Sequence, residues 1–503
     1  MKPTGFRNAL FTCAALGQLA ACTVGPDYHA PAAPAVALTP DALPAATASG
    51  AGPAQSFNPG ADIAGQWWTL YHSPPLSALI NAALTNNPTL AAARATLREE
   101  QENLRAGDAV FAPQISGSFS DTRSRESSAA IAAQGGGPAA ARTVQSPLTL
   151  YNATISASYN LDIFGGNRRE LEGLRAQVAY ERDELEAAYL SLTANIVTAA
   201  VQEASLRAQI AAEQTVIADE QKLLGILQIQ VQDGGIAQAQ VLQQQAVLAQ
   251  AQATLPPLES QLATTRDQLA AYVGLFPANY HAGSFTLSDL TLPTNLPVSI
   301  PSAIVAQRPD IAAAGELLHQ ATAEVGVTDA NLLPNISLSA DIGREALTPG
   351  ALFTPQNILW SLVAGATAPI FEGGELLAKR QAAIAALQVS GAQYQSTVIA
   401  AFQTVADVLA ALQYDAAEDS AAQDALSAAA ASLSVTQSQY RLGGQPFSSV
   451  LTAETTYESA AITAAKASAA RLSDTAALFQ ALGGGWWNRH DSAAEDKPPG
   501  LIP

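Results

Sequence analysis

Apolar residues recur every seven positions along several long stretches of the chain. Leu171, Val178, Leu185, Leu192, Ala199 and Leu206 form one series, and Val241, Leu248, Leu255, Leu262 and Leu269 form another. A third runs through Leu377, Ile384, Gly391, Val398, Val405 and Leu412, meets the polar Asp419, and resumes at Leu426, Leu433 and Tyr440. Such a period keeps one stripe facing a neighbour when helices supercoil left-handedly, so these segments predict long, closely packed helices. From Arg168 to Gln232 and from Glu375 to Leu442 each helix would reach roughly 100 Å, at about 1.5 Å per residue. Each ends at a glycine pair, Asp233-Gly234-Gly235 or Leu442-Gly443-Gly444, where positive φ is easily adopted and the chain can return as a hairpin. Pro256-Pro257 is expected to interrupt and kink the first return helix; the equivalent place in the second is Ala465-Lys466.

A different period precedes each hairpin. Tyr151, Ala153, Ile155, Ala157, Tyr159 and Leu161 alternate with Asn152, Thr154, Ser156, Ser158, Asn160 and Asp162. Ile336, Leu338, Ala340 and Ile342 do the same, as do Trp360, Leu362, Ala364, Ala366, Ala368 and Ile370, with a weaker version at Ile115, Gly117 and Phe119. Period two predicts strands with one apolar and one polar face. Four such strands match the ~9–11 residues that a tilted transmembrane strand needs, although a sheet lying on a soluble core alternates in the same way.

The chain is also written twice. Asn87-Pro88-Thr89-Leu90-Ala91 is answered by Arg308-Pro309-Asp310-Ile311-Ala312, and Pro113 to Ser116 by Pro334 to Ser337, at one displacement of 221 residues (309 − 88 and 334 − 113). Gly234-Gly235 against Gly443-Gly444, and Val273-Gly274 against Leu482-Gly483, share a displacement of 209 (443 − 234 and 483 − 274). A unit near 200 residues is too long for a solenoid repeat. The organisation expected is a signal peptide at 1–21, an extended lipid-anchored segment at 22–62, a first repeat at 63–285, a linker at 286–300, a second repeat at 301–483 and a polar, mobile tail at 484–503. Within the repeats the strand pairs fall near 113–163 and 334–371, and the helical hairpins near 168–274 and 375–482.

The chain's ends and charge narrow the classes. Lys2 and Arg7, the apolar run from Ala9 to Ala15 and Leu19-Ala20-Ala21-Cys22 outline a signal peptide whose cysteine sits where a bacterial lipobox is cut and acylated. Cys13 would leave with the signal, so the mature chain would hold no free thiol and no disulfide. Its formal charge would move from −19 to −21 as Lys2 and Arg7 are lost (−19 − 2). That balance excludes nucleic acid, whose binding rests on Lys and Arg neutralising phosphates. After the signal there is no run of 18 or more apolar residues, which argues against a membrane-spanning helix. Strands in a membrane must close their edges, and since the smallest barrels have about eight strands, four per chain require several copies.

At this point the residues resemble a family, the TolC-like outer membrane factors, in particular their NodT-type lipoprotein branch. The resemblance rests on Cys22-Thr23-Val24-Gly25-Pro26-Asp27-Tyr28, Trp67-Trp68 with Leu76 to Ile80, Leu161 to Gly166, Arg308 to Ile311, Pro334 to Leu338 and Pro369 to Gly374, and spans nearly the whole mature chain. It implies an α+β membrane protein: a trimeric outer-membrane β-barrel, four strands per chain, continued by a long periplasmic α-helical barrel. It further implies a passive exit duct for small molecules, a homotrimer set in outer-membrane lipid, served by a periplasmic adaptor of the membrane fusion type and an inner-membrane transporter of the RND type, with no cofactor. By the same resemblance the hairpin tips, Asp233, Gly234, Gly235, Arg441, Leu442, Gly443 and Gly444, contact the adaptor. Arg441-Leu442-Gly443 fits the family's tip motif, whereas Gly235 stands where a leucine is usual. Where the family often places constricting acids, this chain has Gln240, Ser449 and Thr452, which are the gate candidates.

No catalytic constellation competes with that reading. His29, His72, His281, His319 and His490 are scattered, and no phosphate loop, dinucleotide fingerprint or nucleophile elbow is present, so neither an enzyme nor a metal site is expected. The alternative is a periplasmic coiled-coil lipoprotein acting as adaptor or scaffold, which would need no strands. Replacing Cys22 by Ser is expected to abolish acyl labelling and weaken membrane targeting while leaving the chain folded; labelling that persists in Cys22→Ser would contradict acylation there.

Overall fold

The computed structural model describes residues 23–34, 36–37, 44–50, 52–125, 147–281, 283–299 and 301–489; the signal peptide, Cys22 and the last fourteen residues lie outside these. The strands are β1 (Ser56–Pro59), β2 (Gln114–Ser124), β3 (Leu148–Leu161), β4 (Asn295–Val298), β5 (Asn335–Ala346) and β6 (Ile358–Thr367). The α-helices are α1 (Pro74–Asn86), α2 (Pro88–Asp108), α3 (Gly166–Gln232), α4 (Gln238–Val273), α5 (Pro301–Gln307), α6 (Pro309–Ala330), α7 (Glu375–Arg441) and α8 (Phe447–Ala481). The chain divides into two compact units, one formed by Met1–Ala30, Glu99–Val178 and Glu316–Ala392, the other by Pro31–Arg98, Ala179–Gly315 and Gln393–Pro503.

The first unit holds an antiparallel sheet in the order β2-β3-β5-β6, with strands of 11, 14, 12 and 10 residues. Register aligns Ile115, Ala157, Ala340 and Leu362 in one row, and Gly117, Ile155, Ile342 and Trp360 in another row of the same face. On the opposite face Ser116, Ser156, Asp341 and Ser361 share a row, where Ser156 Oγ donates to Asp341 Oδ1 at 2.6 Å and Ser361 Oγ to Oδ2 at 3.0 Å. The apolar face is uncovered: Ile115 and Leu362 are each 74% exposed and Trp360 72%. Charged residues interrupt that face towards one end of the strands: Asp121 and Arg123 of β2, and Arg344, which lies in the row of Phe119 and Ile358 with its guanidinium 5.8 Å from the Phe353 ring. Within the sheet β2 and β6 each leave one edge unpaired.

The heptad pattern holds where it is densest. All six positions from Leu171 to Leu206 are buried, as are Val398, Val405 and Leu412, while Leu377 is exposed. Asp419 does not break the stripe. Its carboxylate is buried and meets Arg471 NH1 at 3.0 Å, with both side chains at most 2% exposed. Ser468 Oγ donates to the other Asp419 oxygen at 2.8 Å, and Arg471 NH2 reaches the Pro53 carbonyl at 3.3 Å. A buried charge is tolerated when paired and hydrogen-bonded in this way. In the same unit, Trp67 stacks on Phe479 with centroids 5.2 Å apart, and the Tyr71 hydroxyl donates to Leu472 O at 2.8 Å.

Several expectations are corrected. The segment expected to run extended to residue 62 is packed at its end: β1 pairs in parallel with β4, and buried Gln55 donates to Thr475 Oγ1 and Pro293 O, both at 2.9 Å. That pairing also makes the 286–300 segment part of a small sheet rather than a bare linker. The start of the tail is packed, because Trp486 donates to Gln307 O at 2.8 Å and Arg489 pairs with Glu186 at 2.7 Å while lying 3.6 Å from the Tyr189 ring centroid; tryptophan and arginine bury large surfaces when their polar tips find partners. Pro256 and Pro257 lie inside α4 without interrupting it. Alanine-rich α7 contains one 18-residue window of mean hydropathy 1.3, which by length and composition alone matches a spanning helix.

Removing one member of the buried ion pair strands the other. Arg471→Met is therefore expected to destabilise the second unit by about 3–5 kcal/mol, and Asp419→Leu with Arg471→Met by far less, both read from urea unfolding in detergent; equal losses would contradict the pairing argument. A second buried carboxyl gives a pH dependence. Burial, with Asp415 beside it, pushes Asp474 up to about 7. A folded-state value above the unfolded one means that its contribution is present in acid and lost as pH rises through about 7. Unfolding midpoints should fall between pH 5 and 8, and Asp474→Asn should flatten that slope.

Candidate functional site at the hairpin tips

Both hairpin turns are built alike. In the first, Gly234 has φ +75°, its N–H bonds to Val231 O at 3.0 Å, and Gly235 N–H bonds to Gln230 O at 2.8 Å. In the second, Gly443 has φ +75°, with Gly443 N–H to Tyr440 O at 2.9 Å and Gly444 N–H to Gln439 O at 2.8 Å. This is a Schellman closure: a left-handed residue after the last turn lets two amides satisfy carbonyls that the ending helix would otherwise leave open. Gly234 and Gly443 are the positions that require glycine.

All seven tip residues, Asp233, Gly234, Gly235, Arg441, Leu442, Gly443 and Gly444, are exposed, and Leu442 is 87% so. The turns differ in what braces them. At the second, the rings of Tyr440 and Phe447 meet at 5.2 Å, and Arg441 NH2 donates to Ser438 Oγ at 3.2 Å. The corresponding residues of the first are Val231 and Gln238, so it has no such aromatic contact.

The gate candidates do not converge within one chain. Gln240 is exposed on the first turn of α4. Thr452 is exposed and donates back to Ser448 O at 3.0 Å, and half-buried Ser449 donates to Gln445 Oε1 at 3.2 Å. These hydroxyls are satisfied on their own helix or turn.

What converges instead lies further from the tips. Glu220 on α3 is buried and accepts from Gln244 Nε2 of α4 and from Thr455 Oγ1 of α8, the latter at 3.2 Å. One carboxylate thus ties the first hairpin to the second. Around it, Lys222 Nζ meets Asp219 Oδ1 at 2.6 Å, and Gln437 Nε2 donates to Glu454 Oε1 at 3.4 Å. Burial, then the charge of Asp219, holds both Glu454 and Glu458 above the usual carboxylate range. The gate candidates Gln240, Ser449 and Thr452 do not include this group. The available signal was the spacing of Glu454 and Glu458, four apart and hence on one face of α8. Asp219 and Glu220 come from the other hairpin and leave no mark in local spacing. Among the described residues no group of three or more His, Cys, Asp or Glu could hold a metal ion.

A protein-family model for outer membrane efflux proteins matches residues 79–275 and 300–484. The chain is 28% identical over 421 residues to the pyoverdine export outer membrane protein OpmQ of Pseudomonas putida, covering 84% of this chain and 88% of that protein. It is 26% identical over 474 residues to the cation efflux system protein CusC of Escherichia coli, covering 94% and 98%. Among solved structures, the outer-membrane channel OprN superposes with a TM-score of 0.80 at 25% identity, over 92% of this chain and all of that one. With its alternating sheet and long helical hairpins, the chain belongs to the outer membrane efflux protein family and has the fold of a TolC-like outer-membrane channel.

Proposed function

We propose that the chain supplies one third of a closed outer-membrane duct. Three copies would set the β6 edge of one against the β2 edge of the next, giving a twelve-stranded barrel, and their hairpins would form a twelve-helix periplasmic tube. The observation that carries this reading is the four-stranded sheet, with both edges unpaired and an exposed apolar band through Ile115, Ile155, Ile342, Trp360 and Leu362, a surface that suits hydrocarbon. The internal duplication fits it, each half contributing two strands and one hairpin.

The reading continues to the partners. The exposed tips, Asp233 to Gly235 and Arg441 to Gly444, offer glycine-closed turns and a protruding Leu442 to a periplasmic adaptor that links the duct to an inner-membrane transporter of the RND type. Gln240, Ser449 and Thr452 would line the narrow end, and the carboxylates at Asp219, Glu220, Glu454 and Glu458 would lock hairpin to hairpin behind it. OpmQ and CusC are named for pyoverdine and for cations; this chain is taken to pass small molecules without a selective pocket.

Opening would begin where the second tip is braced. An aromatic pair contributes about 0.5–1.5 kcal/mol beyond its buried area, so Phe447→Gly should raise the open fraction by about 2- to 10-fold. Purified protein should run as a heat-modifiable trimer and conduct in planar bilayers, with Phe447→Gly clearly more conductive. A soluble monomer would overturn the duct, and a trimer whose conductance stays low in Phe447→Gly would overturn control from the tip.

A further inference from the structure

The segment that follows the lipobox is docked on its own unit. Val24 N–H bonds to Phe164 O at 3.1 Å, placing Thr23 against Gly165, in the turn between β3 and α3. Arg169, in the first turns of α3, then grips the segment. Its Nε donates to Val24 O at 3.1 Å, and NH2 donates to Gly25 O at 3.4 Å and to Asp27 Oδ1 at 2.7 Å. NH1 turns to Glu172 at 2.8 Å, so each guanidinium nitrogen has a partner although the side chain is 4% exposed. A planar fork with five donors suits this task and an ammonium does not.

The next residue is held by a ring. Tyr28 stacks on His319 of α6, centroids 4.3 Å apart and planes 14° from parallel. His319 lies between two carboxylates, Nε2 at 3.0 Å from Glu172 and Nδ1 at 3.3 Å from Glu316. Arg169 and His319 therefore share Glu172, and the two contacts form one network. The backbone fits closely. Gly25 has φ +92°, and a Cβ there would come within 2.4 Å of Gly326 Cα; one at Gly165 would come within 2.6 Å of Thr23 Cγ2.

We propose that Arg169, Glu172 and His319 form a docking site for the chain's own Thr23–His29 segment, whose purpose is to hold the acylated Cys22 beside the β3–α3 turn. Thr23 is the residue that directly follows the cysteine in the chain, and the turn it packs on follows directly on the end of β3 at Leu161. Lipid and barrel then enter the membrane at one depth, so that the anchor presents the sheet for assembly instead of merely retaining the chain near the bilayer. The proposal rests on acylation of Cys22 and on the barrel reading above.

The test uses the full chain and two equal Gly/Ser spacers of ten residues, each adding a reach of about 17 Å. One follows Cys22 and begins with Thr, so that the residue after the lipid is unchanged; the other follows Ala30. The first uncouples the lipid from the docking site and should slow formation of the heat-modifiable trimer several-fold in a pulse-chase, while the second should not. In Arg169→Met or Tyr28→Ala the two spacers should behave alike, both slow. Hydrogen exchange separates docking from lipid attachment: the Val24 amide should be protected in wild type and in Cys22→Ser, and exchange at least about tenfold faster in Arg169→Met and Tyr28→Ala. Equal trimer rates for the two spacers in the otherwise native chain, or a Val24 amide unaffected by either variant, would overturn the proposal. Absence of acyl labelling in the wild-type chain would overturn the lipid reading and leave the docking intact.

Discussion

A backbone N–H or C=O in hydrocarbon has no water to bond, and each one left open costs several kcal/mol. In this chain four strands pair with one another through β2, β3, β5 and β6 and then stop, leaving two edges and an exposed apolar face. That constraint orders the rest. Under the proposed duct, further copies continue the sheet, and short strands suffice on the membrane side while the 67-residue helices α3 and α7 provide length elsewhere.

The polar interior uses distant pairing repeatedly. Three charges buried where several elements meet are answered from a distant part of the chain, Asp419 by Arg471, Glu186 by Arg489 and Arg169 by Asp27, while buried Glu203 is met by Arg207 one turn on. Alanine-rich helices bring backbones close but offer little side-chain surface to choose between neighbouring registers. Paired charges supply that choice, because a slipped register would leave a charge buried and alone. The same logic explains why Gly50 sits beside the Asp419–Arg471 pair: a Cβ there would fall 2.0 Å from an Asp419 oxygen.

Much of this was legible in the sequence. The strands announced themselves by alternation and the hairpins by heptads and glycine pairs, since both periods are local consequences of side-chain direction. Asp419 looked like a break in the stripe because its partner lies 52 residues away on another helix. Residues 44–62 and 486–489 looked loose because Gln55, Trp486 and Arg489 are isolated in sequence and find partners at Thr475, Gln307 and Glu186. The Cys22 to Tyr28 motif was visible as a word, but the partners of Val24 to Tyr28 are Arg169 and His319, and no spacing connects them. At the tips, the turns were readable from Gly234 and Gly443, while the carboxylates that join the hairpins were hidden for the same reason of distance.

The central claim is that the open edges of one chain are closed by other copies of it. Single cysteines placed along β2, each combined with single cysteines along β6, test this directly under mild oxidation in the membrane. The account predicts that a subset of pairs, spaced by two residues along each strand, cross-links between chains and yields covalent trimers. Failure of every pair to cross-link, or cross-linking only within one chain, would contradict it.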